Sequence, residues 1–299
     1  MISAPASSPL PSARGLAVLA LVFNAFTWGV SWWPFRQLEA LGLHPLWLTT
    51  LVFSISVLVL WLARPNAVRE VLTHPTLWVL LLASGTTNAC FNWAVTVGDV
   101  VRVVLLFYLM PLWAVLLARP LLGERISGRA ALRVALALAG ALVVLWPASN
   151  RFDSPIGLPD GLALVGGFSF ALNNVMLRRE AGSSESARAM AMFAGGALVS
   201  LVLALWLSAA GGVPSVPTPA FGWVSVVVGL SAWYLASNLA LQYGAARLAA
   251  HTTAVVMITE VLFASASAVA LGAGTLELRT ALGGLLIISA ALLAAWQRD

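Results

Sequence analysis

The sequence is short of charge. Only 9% of its 299 residues are Asp, Glu, Lys or Arg, where a soluble domain carries roughly a quarter. That deficit excludes a water-exposed globular surface, and with it an extended disordered chain. Lysine is absent, so all sixteen basic residues are arginine. They occupy short gaps between apolar runs, and no continuous basic face is left for nucleic acid despite a pI of 10.6. The single cysteine, Cys90, excludes an internal disulfide. His44, His74 and His251 are far apart and lack a second ligand at metal spacing. No Gly-x-x-x-x-Gly-Lys loop occurs. No metal, no organic cofactor and no obligatory ATPase subunit is therefore expected.

What the chain has instead is apolar length. Hydrophobic residues make up 61% of it and the mean hydropathy is +0.94. About 20 apolar residues cross a hydrocarbon core of about 30 Å. Uncharged runs cover 15–35, 45–63, 75–98, 103–118, 134–150, 161–177, 189–246 and 280–297. The 58-residue run 189–246 is broken by Gly211-Gly212-Val213-Pro214-Ser215-Val216-Pro217-Thr218-Pro219, which cannot continue a helix. It therefore holds two spans, near 188–209 and 220–243. The segment 248–271 is apolar apart from His251 and Glu260 and adds another. The first run exceeds the 7–15 apolar residues of a signal peptide and reads as a retained span. The expectation is an all-α membrane protein of ten transmembrane helices, with the lipid bilayer as its main partner.

Arginine sets the orientation, because cytoplasmic loops accumulate basic residues. Alternating spans put Arg14, Arg64, Arg69, Arg119, Arg125, Arg129, Arg133, Arg178, Arg179, Arg188, Arg247 and Arg298 on one side. Only Arg36, Arg102, Arg151 and Arg279 fall on the other. Twelve against four places both termini in the cytoplasm of a bacterial inner membrane. Most of the 13 tryptophans fall at span ends, the headgroup level that amphipathic rings prefer.

Splitting the chain after the fifth span exposes a repeat. Trp28 precedes Arg36 by eight residues, as Phe170 precedes Arg178. Asn92–Gly98 and Asn238–Gly244 both read Asn-x-Ala-x-x-x-Gly. Arg129 to Gly140 has the same spacing as Arg279 to Ala290. Two halves, 14–149 and 156–298, follow. Each has an odd number of spans, so they are inverted in the bilayer. Inverted halves are a recurrent plan of secondary transporters, with the substrate site near the midplane between them.

The pattern Trp28-Gly29…Arg36, the pattern Pro111-x-x-Ala114 before Leu122-Gly123-Glu124, and the small-residue fifth span resemble the EamA-type half of the drug/metabolite transporter superfamily. Phe107-Tyr108-Leu109-Met110-Pro111-Leu112 is similar to the fourth-span signature of aromatic amino-acid exporters of that superfamily. The resemblance implies a ten-helix exporter of amino acids or other small metabolites, not an enzyme. One departure stands out. The second half of such proteins carries Glu-Pro in the ninth span, whereas this chain has Glu260-Val261, so the two halves are expected to bend differently.

Candidate site residues are polar or aromatic side chains at mid-span. Asn24, Trp28 and Ser31 share one face of the first span at i, i+4, i+7. Asn88 and Asn92 share a face of the third, with Phe91 beside them. Tyr108 lies near the middle of the fourth, Phe170, Asn173 and Asn174 in the sixth, and Trp233, Tyr234 and Asn238 in the eighth. Each also has a plain structural use, as core volume or as an interhelical hydrogen bond. Together they would line a wet cavity for a small-molecule substrate with an apolar ring and a zwitterionic end. Glu260 is the one carboxylate at mid-membrane. An acid at that depth must be protonated, paired or hydrated, so it is a coupling site, a partner for a substrate ammonium, or a structural acid. Asp99 and Arg102 read as a solvated rim pair. The rival class, an intramembrane hydrolase using Ser231 and His251, needs the two within hydrogen-bond reach.

Overall fold

The computed structural model describes residues 13–97, 100–123, 127–145, 156–271 and 278–296. Among them every regular element is an α-helix. The order is α1 (Ala13–Ala40), α2 (Pro45–Ala63), α3 (Asn66–Thr73), α4 (Pro75–Val97), α5 (Val100–Phe107), α6 (Met110–Leu122) and α7 (Gly128–Leu145). Then follow α8 (Leu158–Arg179), α9 (Glu185–Ala209), α10 (Phe221–Arg247), α11 (Ala250–Met257), α12 (Glu260–Ala270) and α13 (Leu278–Trp296). Six helical segments among the described residues are long and apolar enough to cross a membrane: α1, α2, α8, α9, α10 and Ala250–Ser267. Asp99 and the side chain of Arg102 lie outside the described residues, as do Arg125, Arg151 and Arg298.

Local chemistry sets the helix ends. Proline opens α2 and α4, where its missing N–H would be unpaired in any case. The Gly157 N–H donates to the Asp160 carboxylate at the start of α8 (2.8 Å), and the Ala187 N–H donates to the Ser184 hydroxyl at the start of α9 (3.1 Å). The break inside the 58-residue run falls where the composition puts it. α9 ends at Ala209 and Gly211 follows with φ +75°, a left-handed turn that suits glycine.

Two of the apolar runs are not continuous helices. Between α5 and α6 the chain makes one tight turn at Tyr108-Leu109, with the Leu109 N–H bonded to the Leu106 carbonyl and the Leu112 N–H to that of Leu109. Between α11 and α12 the same happens at Ile258-Thr259, where the Thr259 and Val261 N–H groups reach back three residues to Val256 and Ile258. These are 3₁₀ turns, with φ and ψ near −60° and −20° at Ile258 and Thr259. A second proline is not needed for the second break. Pro111 follows the first break and Val261 the second, yet both breaks form. The Thr259 hydroxyl donates to the Val256 carbonyl at 2.8 Å and helps close the second.

Helix α4 packs between α8 and α9, α1 against α10 and α12, α2 against α9, and α7 against α13. Glycines let these helices approach to backbone contact. A Cβ at Gly195 would collide with the Leu81 carbonyl, and one at Gly85 with the Gly195 carbonyl. Gly29 lies against the start of α12, where an added Cβ would fall 2.7 Å from Phe263 Cβ and 2.8 Å from the Glu260 carbonyl oxygen. The glycine of the Trp28-Gly29 pair is thus a packing requirement.

The short α3 is more polar than its neighbours. Its Glu70 carboxylate accepts from the Ser184 N–H (3.0 Å) and hydroxyl (2.6 Å), so α3 holds the start of α9. Those donors keep the Glu70 pKa below its ordinary 4.5. Beside it the buried Arg188 donates to Gln242 Oε1 (2.8 Å) and to the carbonyls of Glu180, Ala181 and Ser183.

Candidate functional site

Seven helices meet at a central cavity of about 30 Å³. Trp28 comes from α1, Ser84, Thr87, Asn88 and Phe91 from α4, and Phe107 from α5. Phe170 and Asn173 come from α8, Met192 from α9, Asn238 and Leu241 from α10, and Glu260 from α12. The four residues from α4 are spaced i, i+3, i+4, i+7, one face of a single helix. Glu260 reaches the centre because the 3₁₀ turn before it makes it the first residue of α12.

The wall is aromatic. Tyr234 meets Trp28 edge-on (centroids 4.9 Å), Trp28 meets Phe91 (6.5 Å), Phe91 meets Phe107 (4.6 Å), and Phe107 stacks on Phe170 (5.7 Å, 26°). Tyr108 packs edge-on against Phe107, and its hydroxyl approaches the Glu260 carboxyl without closing a well-formed hydrogen bond.

The polar groups are largely committed to the protein. Asn88 donates its amide to the Ser84 carbonyl (2.8 Å) and Asn238 to the Tyr234 carbonyl (3.0 Å). The Ser84 hydroxyl donates to the Met192 carbonyl (3.2 Å) and that of Thr87 to the Ala83 carbonyl (2.7 Å). The buried amide oxygens of Asn88 and Asn173 have no partner.

The residues singled out from sequence divide into three groups. Trp28, Asn88, Phe91, Phe170, Asn173, Asn238 and Glu260 line the cavity, with Tyr108 and Tyr234 packed directly behind its rings. Asn24 and Asn92 instead tie helices together: Asn24 donates to the Ser237 carbonyl (2.9 Å) and hydroxyl (2.8 Å) on α10, and Asn92 to the Thr49 hydroxyl (2.7 Å) on α2. Ser31 and Trp233 face a second cavity of about 310 Å³ between α1, α10 and α12, which they share with Tyr234 and Ser267. Trp233 is 40% exposed there and packs edge-on against Phe23 and Phe26. Ser84, Thr87, Phe107, Met192 and Leu241 went unnamed as site residues. The i, i+3, i+4, i+7 face of Asn88 and Phe91 could have found Ser84 and Thr87; nothing in the sequence marked Met192.

The hydrolase pairing does not form. The Ser231 hydroxyl donates to the Val227 carbonyl (2.7 Å). His251 lies in the first turn of α11, past the end of α10, and roughly 24 Å of helix at 1.5 Å per residue already separates Ser231 from that end.

Apolar helices long enough to cross a bilayer, packed around a small cavity walled by aromatic rings, fit a multi-pass membrane protein. Residues 15–146 match the EamA-like transporter family, which supports a drug/metabolite transporter domain in that half of the chain. A solved crystal structure aligns with 93% of this chain and 96% of its own at a TM-score of 0.75 and 20% identity, a likeness of fold alone. Comparison with curated proteins finds no match.

Proposed function

We propose that this protein is a secondary transporter that exports small amphipathic metabolites, neutral amino acids with aromatic side chains among them, across the bacterial inner membrane by alternating access. In this reading ten spans form two inverted halves, 14–149 and 156–298, with both termini cytoplasmic. α5 with α6, and α11 with α12, each count as one broken span. Constant spacing supports the halves: α5, α6 and α7 begin at Val100, Met110 and Gly128, and α11, α12 and α13 begin 150 residues later, at Ala250, Glu260 and Leu278. Reciprocal packing supports them too, since α4 lies against α8 as α10 lies against α1.

The observation that carries the function is the composition of the central cavity. Aromatic faces, amide oxygens and one carboxyl converge there from helices of both proposed halves. At about 30 Å³ it has room for a water or two and not for cargo, for which pockets of ~300–1,000 Å³ are usual. Binding therefore requires the halves to separate, which is the motion alternating access supplies.

Counterflow of radiolabelled phenylalanine, tryptophan and threonine into proteoliposomes tests the reading. Accelerated exchange of phenylalanine over empty liposomes is expected. Exchange of none of the three would remove the amino-acid assignment.

A further inference from the structure

The donor and acceptor balance around the cavity is one-sided. Four of the cavity's donors are turned away from the centre onto protein carbonyls: Ser84 to Met192, Thr87 to Ala83, Asn88 to Ser84, and Asn238 to Tyr234, while the Asn173 amide leans on Asn174 Oδ1 at 3.5 Å. For Asn88 and Asn238 the orientation is fixed, because a backbone carbonyl only accepts and the Nδ2 end must face it. Acceptors remain at the centre. The Asn88 and Asn173 Oδ1 atoms are unpartnered on side chains 5% and 2% exposed, and the Glu260 carboxyl is 8% exposed. Among the described residues that line the cavity there is no Arg or His to receive a substrate carboxylate.

A zwitterion is therefore served at one end only. Its ammonium would meet two amide oxygens and Glu260, with the face of Trp28 alongside for a cation–π contact. Its carboxylate would meet acceptor lone pairs and another acid, with its own desolvation uncompensated. We propose, resting on the transporter reading above, that the central site selects an organic cation: an aryl or alkyl amine held by its ammonium between Glu260, Asn88 and Asn173, with its apolar body against Trp28, Phe91, Phe107 and Phe170. A free carboxylate on the cargo weakens binding. In the cargo-free state a water or two can satisfy the amide oxygens, and the ammonium replaces them.

Isothermal titration of the detergent-solubilised full chain with phenethylamine, phenylalanine and 3-phenylpropionate tests this, since the three share a ring and chain and differ in charge. Phenethylamine is expected to bind about tenfold tighter than phenylalanine, the worth of a charge-assisted hydrogen bond, with no binding of 3-phenylpropionate. Glu260→Gln is expected to abolish that preference and Glu260→Asp to keep it. Asn173→Leu is expected to reduce amine affinity while the protein still elutes as a monodisperse peak. Phenylalanine binding as tightly as the amine, or no amine binding at all, overturns the proposal. The transporter reading fails separately: amine-selective binding without counterflow of any cargo would remove transport and leave the selectivity standing. Phenylalanine counterflow with tighter phenylalanine binding would do the reverse.

Discussion

At the scale of single residues, the asparagines separate structure from function most cleanly. Asn88 and Asn92 are one turn apart on α4 and look equivalent in sequence. Asn92 bonds the Thr49 hydroxyl on α2, whereas Asn88 bonds its own helix and leaves an oxygen at the cavity. Asn92→Leu is expected to lower thermal stability by about 0.6–1.7 kcal/mol, the range measured for interhelical bonds in membranes, with little effect on cargo affinity. Asn88→Leu is expected to do the opposite. Scanning fluorimetry and titration of both variants check this, and equal behaviour of the two would sink the distinction. The glycines divide in the same way. Gly195→Val would drive a side chain into the Leu81 backbone and is expected to cost about 1–3 kcal/mol, or to prevent folding. Gly229→Ala, on open surface, is expected to be neutral or slightly stabilising. Outside the membrane, Glu70 contributes stability through its carboxylate form. Its folded pKa is depressed, so the contribution is complete above about pH 4.5 and is lost as the pH falls through the folded value. Melting curves of Glu70→Gln and the native chain should therefore differ at neutral pH and converge in acid.

Among the elements, what could be read in advance follows what each signal measures. Hydropathy and breaker residues place α9 and α10 on either side of Gly211–Pro219, because glycine and proline change the backbone whatever surrounds it. The breaks at Tyr108-Leu109 and Ile258-Thr259 are different. They are 3₁₀ turns within apolar runs, fixed by packing at the centre, and only one is followed by proline. The presence of Glu260 within an apolar run was readable; that a helix break brings it to the same cavity as Asn88 was not. Nor could the sequence separate Trp28 from Trp233, since both lie at mid-span and only tertiary packing turns one inward. The second break forms without proline, so a turn of this kind does not require one. Pro111→Ala is expected to shift the melting midpoint by less than about 1 kcal/mol equivalent and to leave counterflow within about twofold. A large loss of transport with intact folding would show instead that the proline itself is the hinge.

At the scale of the whole molecule, the question is which contacts open when the cavity enlarges. Helix α4 makes the broadest cross-half contact in the proposed arrangement, against α8 and α9, and contributes four of the cavity's lining residues. The chain's one cysteine lies in it. Cys90 is buried, and a Cβ built on Gly166 of α8 would stand 3.5 Å from Cys90 Cβ, within the range of a disulfide. Gly166→Cys therefore creates a single defined crosslink between α4 and α8, with no other thiol to compete. The new side chain also meets the Phe107 ring at 3.4 Å, a contact that a small rotation of the ring can relieve. Under mild oxidation the free-thiol titre should fall to zero, and the melting temperature should rise because the unfolded chain is constrained. If alternating access separates α4 from α8, counterflow should stop in the oxidised protein and return on reduction, while oxidised native protein is unaffected. A complete crosslink with undiminished counterflow would mean that α4 and α8 move as one body. The opening would then have to run along α1, α10 and α12, where the larger cavity already lies.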